Sequence, residues 1–175
     1  MKNLCYKVKV KLGDHIDTDM ISSNQFSKGT GYGPKDWADC CLRVVDPDFP
    51  EKMAADGGGI LVVGMNFGCG SSRESAPTSI KMCGAKAVIG EEFARIFYRS
   101  AINIGLVCIE APGITASTEV GDLLEVNPNT GTVYNRTKDL VIQGSPIPEN
   151  LIQQLEAGGL MPYLQGELGL TKAEG

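Results

Sequence analysis

Apolar residues alternate with basic ones over residues 6–12 (YKVKVKL), the period of a strand with one face buried. A different pattern, continuous apolar residues between glycines, marks residues 58–64 (GGILVVG). KAVIG (86–90) reads as the next strand and LVCIE (106–110) as a third buried one. Such runs predict strands covered on both faces. Between them, residues 72–83 and 91–103 (EEFARIFYRSAIN) carry helical spacing and stop at Gly84 and Gly105. Strand and helix therefore alternate through the centre of the chain, which predicts an α/β core. Two short helical stretches precede this centre, WADCCLR (37–43) and FPEKMAADGGG (49–59). After it, residues 122–135 read as two strands joined by a turn over 127–131, and LVIQG (140–144) reads as another strand. PIPENLIQQLEAGG (146–159) has the proline entry and glycine exit of a helix. Residues 13–36 are loop-rich, and residues 166–175 are expected to be a frayed tail. No repeat or linker interrupts the chain, so residues 1–175 are expected to form one domain.

Composition narrows the function classes. With 42% hydrophobic and 21% charged residues, disorder is excluded for the bulk of the chain. A formal net charge of -5 without any basic run argues against nucleic acid and against anionic membranes as partners. The N-terminus lacks the apolar stretch of a signal peptide, and nothing approaches a spanning helix, so a cytoplasmic protein is expected. Cys5, Cys40, Cys41, Cys69, Cys83 and Cys108 contain no C-x-x-C pair and no zinc or iron–sulfur ligand spacing. They are expected to be reduced thiols, mostly buried. The single histidine, His15, lies in a turn-like segment without partners for a metal site.

Three segments could carry chemistry. Gly68-Cys69-Gly70-Ser71-Ser72-Arg73-Glu74 lies between a buried strand and a helix, where ligands bind in open α/β sheets. Glycine backbone, two hydroxyls and a guanidinium suit a carboxylate or phosphate. The alternative is that Ser71 or Ser72 merely caps the helix. The spacing matches neither a dinucleotide fingerprint nor a P-loop, and no neighbouring histidine could activate a serine. In Gly13-Asp14-His15-Ile16-Asp17-Thr18-Asp19, the clustered acids could hold calcium, but EF-hand spacing is missing and turn formation is the simpler role. In Phe93–Arg99, Phe93, Ile96 and Phe97 share one helical face. Arg95 and Arg99 share another, either solvated or bracing nearby loops.

GDHIDTDMI, NFGCGSSRES and GEEFARIFYRSAINIGL, in this order and spacing, closely resemble the small subunit of 3-isopropylmalate dehydratase and the matching domain of aconitase and homoaconitase. The resemblance covers at least residues 6–110. It implies a swivelling β/β/α domain of the aconitase type. It also implies a separately encoded large subunit that carries a four-iron, four-sulfur cluster, with no cofactor or metal held by this chain. The reaction implied is dehydration or isomerisation of a 2-hydroxy di- or tricarboxylic acid, foremost 3-isopropylmalate in leucine biosynthesis. Carried over by motif, Ser71 is the base that removes the carbon-bound proton, Ser72 and Arg73 bind substrate carboxylate, and Asp19 supports the catalytic machinery. The segment that meets the variable part of the substrate corresponds to Phe26-Ser27-Lys28, with Lys28 where homoaconitase-type members have arginine. That departure keeps 2,3-dimethylmalate and homoaconitate or citrate-like acids open as substrates. A non-catalytic anion-binding module is the competing class, and homo-oligomerisation of the isolated chain is left open.

Overall fold

The computed structural model describes residues 1–23 and 34–169. Among these residues, seven strands form one sheet: β1 (Leu4–Lys11), β2 (Gly59–Val63), β3 (Ala85–Gly90), β4 (Val107–Glu110), β5 (Leu123–Asn127), β6 (Thr132–Asn135) and β7 (Leu140–Gln143). Their spatial order is β4-β3-β2-β1-β5-β6-β7. The β1–β4 half is parallel, and β5, β6 and β7 continue antiparallel from the other edge of β1. Eight α-helices accompany the sheet among the described residues: α1 (Thr18–Ile21), α2 (Pro34–Cys40), α3 (Phe49–Ala54), α4 (Ser75–Met82), α5 (Arg95–Asn103), α6 (Ile114–Ser117), α7 (Glu149–Glu156) and α8 (Leu160–Glu167).

The continuous apolar runs are explained by two cores, one on each face of the parallel half. Leu61 and Val63 of β2 face the first core, with Phe49, Phe67, Ile80 and Phe97. Ile60 and Val62 face the second, with Ala87, Ile89, Val107 and Ile109. Leu124, Val126, Val133 and Ile142 of the antiparallel half close the second core, so the sheet curls over its own inner face. Ser145 N donates to Glu110 O at 2.8 Å, tying the end of β7 to the end of β4. A register shift between Val8 and Val10 of β1 sends these two residues to opposite cores, although alternation alone would place them together.

The expected boundaries shift where particular residues intervene. α4 begins at Ser75 and not at Ser72. Pro77 decides this: in a helix started at Ser72 its missing N–H and its ring would face the Arg73 carbonyl. At Ser75 it falls in the first turn, and Ala76 N bonds Arg73 O instead. α5 begins at Arg95 and not at residue 91, because Phe67 N bonds Glu92 O (3.1 Å) and Ala94 N bonds Phe67 O (2.9 Å). α2 runs from Pro34 to Cys40, three residues earlier than its pattern suggests, and Leu42 at φ 55° ends that segment. α1, α6 and α8 were not anticipated. α8 reaches Glu167, inside the stretch expected to fray, and residues 170–175 lie outside the described residues.

Candidate functional site

The loop that follows β2 is built against the segment that follows β1. Gly68 N donates to Ile16 O at 2.7 Å, and Thr18 N donates to Cys69 O at 2.8 Å. Asp17 and Cys69 thereby form a parallel bridge between two stretches far apart in the chain. Gly68 adopts φ +78°, and a Cβ there would lie 2.2 Å from Cγ of Phe97. Glycine is therefore required both for the backbone angle and for the approach of α5. The Phe67 and Phe97 rings meet edge-to-face at 5.2 Å between centroids and floor the loop.

Thr18, 2% exposed, holds Ser71 in place. Its Oγ1 accepts from Ser71 N at 2.9 Å and lies 3.5 Å from Ser71 Oγ. Arg73 N approaches Ser71 Oγ from the other side at 3.4 Å. Ser71 Oγ thus has a hydroxyl and an amide N–H facing it, both at long range. Neither serine caps α4: its N-cap is Glu74, and no side chain bonds the helix start there. Ser72 and Arg73 are exposed. Arg73 Nη1 pairs with Asp19 Oδ1 at 3.1 Å. Both side chains are well exposed, so this pair contributes little to stability and mainly aims the guanidinium.

The structure therefore brings together Ser71, Ser72, Arg73 and Asp19, while Lys28, with Phe26 and Ser27, lies outside the described residues. The remaining acids of the first motif have structural roles. Asp17 Oδ1 caps Met20 N at 2.7 Å, and Asp14 Oδ1 accepts from Met65 N at 2.7 Å. His15 is exposed at φ 56°, with its backbone N bonded to Met65 O. Thr18 is the residue that sequence reasoning missed. Its only signal was its place between Asp17 and Asp19.

Arg95 and Arg99 are exposed, and neither has a hydrogen bond or ion pair among the described residues. Ile96 is 42% exposed, contrary to its expected place on the buried face. Phe93 lies before the helix, so Phe97, Ala101 and Ile102 set the buried side and Ile96 turns outward. Among the described residues, no three His, Cys, Asp or Glu side chains gather to hold a metal ion, and these residues do not fit an iron–sulfur cluster. None of the six cysteines is in a disulfide; Cys40, Cys41, Cys83 and Cys108 are buried. Burial, reinforced by neighbouring Cys83, pushes the Cys41 thiol well up, and burial raises Cys108 as well. No described helix is long and apolar enough to cross a membrane.

The aconitase C-terminal domain model matches residues 9–113. The chain belongs to that family. Among curated relatives in the family, the isopropylmalate/citramalate isomerase small subunit of Methanocaldococcus jannaschii is 48% identical, over 90% of this chain and 92% of the relative. The 3-isopropylmalate dehydratase small subunit of Halothermothrix orenii is 43% identical, over 90% of this chain and 93% of the relative. The 2,3-dimethylmalate dehydratase small subunit of Eubacterium barkeri is 44% identical, over 88% of this chain and 92% of the relative. The crystal structure of a 3-isopropylmalate dehydratase from Methanocaldococcus jannaschii superposes with a TM-score of 0.84 at 36% identity, covering 99% of this chain and 100% of that one. The aconitase-type fold expected from the motifs is thus the fold of the chain.

Proposed function

We propose that this chain is the small subunit of an aconitase-like hydro-lyase that interconverts 3-isopropylmalate and 2-isopropylmalate in leucine biosynthesis, acting with a separate large subunit. The observation that carries the reading is the presentation of Ser71, Ser72 and Arg73 on an exposed turn beyond β2, with Asp19 aiming Arg73. The names of relatives above 40% identity support the same assignment. Cysteines that are mostly buried and form no disulfide suit a reducing cytoplasm.

In this reading Ser71 removes the carbon-bound proton. A serine alkoxide needs hydrogen-bond donors, and the Thr18 hydroxyl and Arg73 N–H are the two that face Ser71 Oγ. Their distances, 3.5 and 3.4 Å, are long, as catalytic hydrogen bonds often are without substrate. Ser71 N is committed to Thr18 and keeps the turn in register. Arg73, released from its exposed pair with Asp19, binds a substrate carboxylate bidentately, and Ser72 adds a hydroxyl donor. A four-iron, four-sulfur cluster on the large subunit supplies a Lewis acid for the departing hydroxyl. Lys28 is assigned to the variable part of the substrate. A second substrate, 2,3-dimethylmalate, is favoured by the Eubacterium barkeri relative, which carries that name.

The test is anaerobic co-expression with the cognate large subunit, followed by assay against isopropylmalates, 2,3-dimethylmalate, citrate and homocitrate. The isolated chain is expected to be inactive and without iron–sulfur absorbance. In the assembled enzyme Ser71→Ala is expected to lower kcat by about 10²–10⁴-fold without loss of assembly. Near-native turnover by that variant would overturn the role of Ser71, and cluster-dependent turnover by the isolated chain would overturn the division of labour.

A further inference from the structure

A cleft of about 390 Å³ opens beyond the ends of β3 and β4. That volume lies in the range of small-molecule pockets. None of its lining residues belongs to the loop bearing Ser71 or to the segment bearing Asp19. Arg95 and Arg99 supply two guanidiniums, Glu92 and Glu110 supply two carboxylates, and Phe93 and Tyr98 supply aromatic wall. Although these opposite charges line one cleft, they do not neutralise one another. Among the described residues, the side chains of Arg95, Arg99 and Glu92 have no hydrogen bond or ion pair. Glu110 uses Oε1 to accept from Phe93 N at 3.0 Å, which fixes its carboxylate at the cleft and leaves Oε2 open. Burial, with Cys108 and Glu110 adding to it, pushes the Tyr98 phenol up to about 12, so it stays a neutral donor at physiological pH.

We propose that this cleft binds a zwitterionic α-amino acid. A ligand with only negative charge would face Glu92 and Glu110 unpaired, and one with only positive charge would face both arginines. Like charges set against the ligand across the cleft disfavour either one. An α-amino acid satisfies both sets at once. Its carboxylate takes the planar donors of Arg95 and Arg99, and its ammonium is accepted by Glu92 and Glu110. Its side chain runs along the Phe93 and Tyr98 rings. The site is independent of the dehydratase reading, and its test requires no turnover.

The experiment is amide NMR titration of the full chain with glycine, leucine and phenylalanine. Phenylpropanoate and phenethylamine serve as controls that carry one charge each. Saturable shifts are expected at Glu92, Arg95, Arg99 and Glu110 for at least one amino acid. For phenylalanine, each single-charge control should bind about tenfold or more weakly. Arg99→Ala and Glu92→Gln, both at exposed positions, should each weaken amino-acid binding by a similar factor with unchanged thermal unfolding. No saturation by any of the three amino acids below ~10 mM would overturn the site. Phenylpropanoate binding as tightly as phenylalanine, or indifference to Glu92→Gln, would overturn the zwitterion.

Discussion

Replacing Thr18 with valine removes one hydroxyl while keeping a β-branched side chain of similar shape in a site 2% exposed. Two interactions disappear: the 2.9 Å bond from Ser71 N and the 3.5 Å approach to Ser71 Oγ. The first is the larger. A net hydrogen bond contributes roughly 1 kcal/mol, and an N–H left without a partner in a half-buried turn costs about 1–3 kcal/mol. The long second contact adds little to stability, but it is one of two donors facing the proposed base. The expected loss is therefore about 1–3 kcal/mol, or on the order of 2–10 °C in Tm for a chain of this size. Misplacing Ser71 should cost more in rate, about 10–100-fold in kcat of the assembled enzyme, with little change in KM. Thr18→Ser is the control. It restores the hydroxyl and deletes one buried methyl, costing about 1 kcal/mol, and should return most of the turnover. Differential scanning calorimetry of the isolated subunit and steady-state kinetics of the complex read the two effects separately. If Thr18→Val kept native Tm and kcat, the hydroxyl would not be holding the turn. If Thr18→Ser were as slow as Thr18→Val, packing and not hydrogen bonding would be responsible.

Gly68→Ala places a methyl 2.2 Å from Phe97 Cγ at φ +78°; strain and overpacking together should cost about 2–5 kcal/mol by denaturant unfolding, and a loss below ~1 kcal/mol would contradict the packing described. Arg73→Lys should raise KM about tenfold or more while changing kcat less, because an ammonium cannot make the planar double contact; an unchanged KM would remove Arg73 from substrate binding. Burial pushes the Asp122 carboxyl up, but hydrogen bonds from Glu119 N and Asn135 Nδ2, with Lys138 beside it, outweigh burial and hold it below the usual carboxylate range. Its contribution to stability is therefore full above an unfolded value near ~3.9 and is lost as pH falls through the lower folded value. Thermal unfolding followed from about pH 6 down to about pH 2 should show that loss, and Asp122→Asn should flatten it; an equally steep acid decline in the variant would assign the effect to other carboxylates.

The buried strands were readable because β2, β3 and β4 are apolar on both faces, a pattern that survives without knowledge of their neighbours. The exposed turn with Ser71, Ser72 and Arg73 was readable because its glycines and polar side chains are consecutive. What could not be read is what distant segments do to one another. The Thr18–Ser71 contact joins residues 53 apart, so local spacing cannot distinguish Thr18 from any turn threonine. The pairing of Phe67 with residues 92–94 likewise withdrew Phe93 from a helix whose periodicity had included it. Pro77 was a local signal that the extended reading of α4 overlooked.

β1 is the earliest strand in the chain and yet stands in the middle of the sheet, between β2 and β5. Its two edges consequently find partners at very different stages of synthesis. Val8 can meet Ile60 early, whereas Leu4 and Tyr6 must wait for Val126 and Leu124. A parallel half can assemble from the first 110 residues, but until β5 emerges β1 presents its other edge unpaired. Pairings so distant in sequence slow folding, and an uncovered strand edge invites association with other chains. If the parallel half folds before β5 is made, the nascent chain is a half-sheet with one open side, which the curled second half then covers.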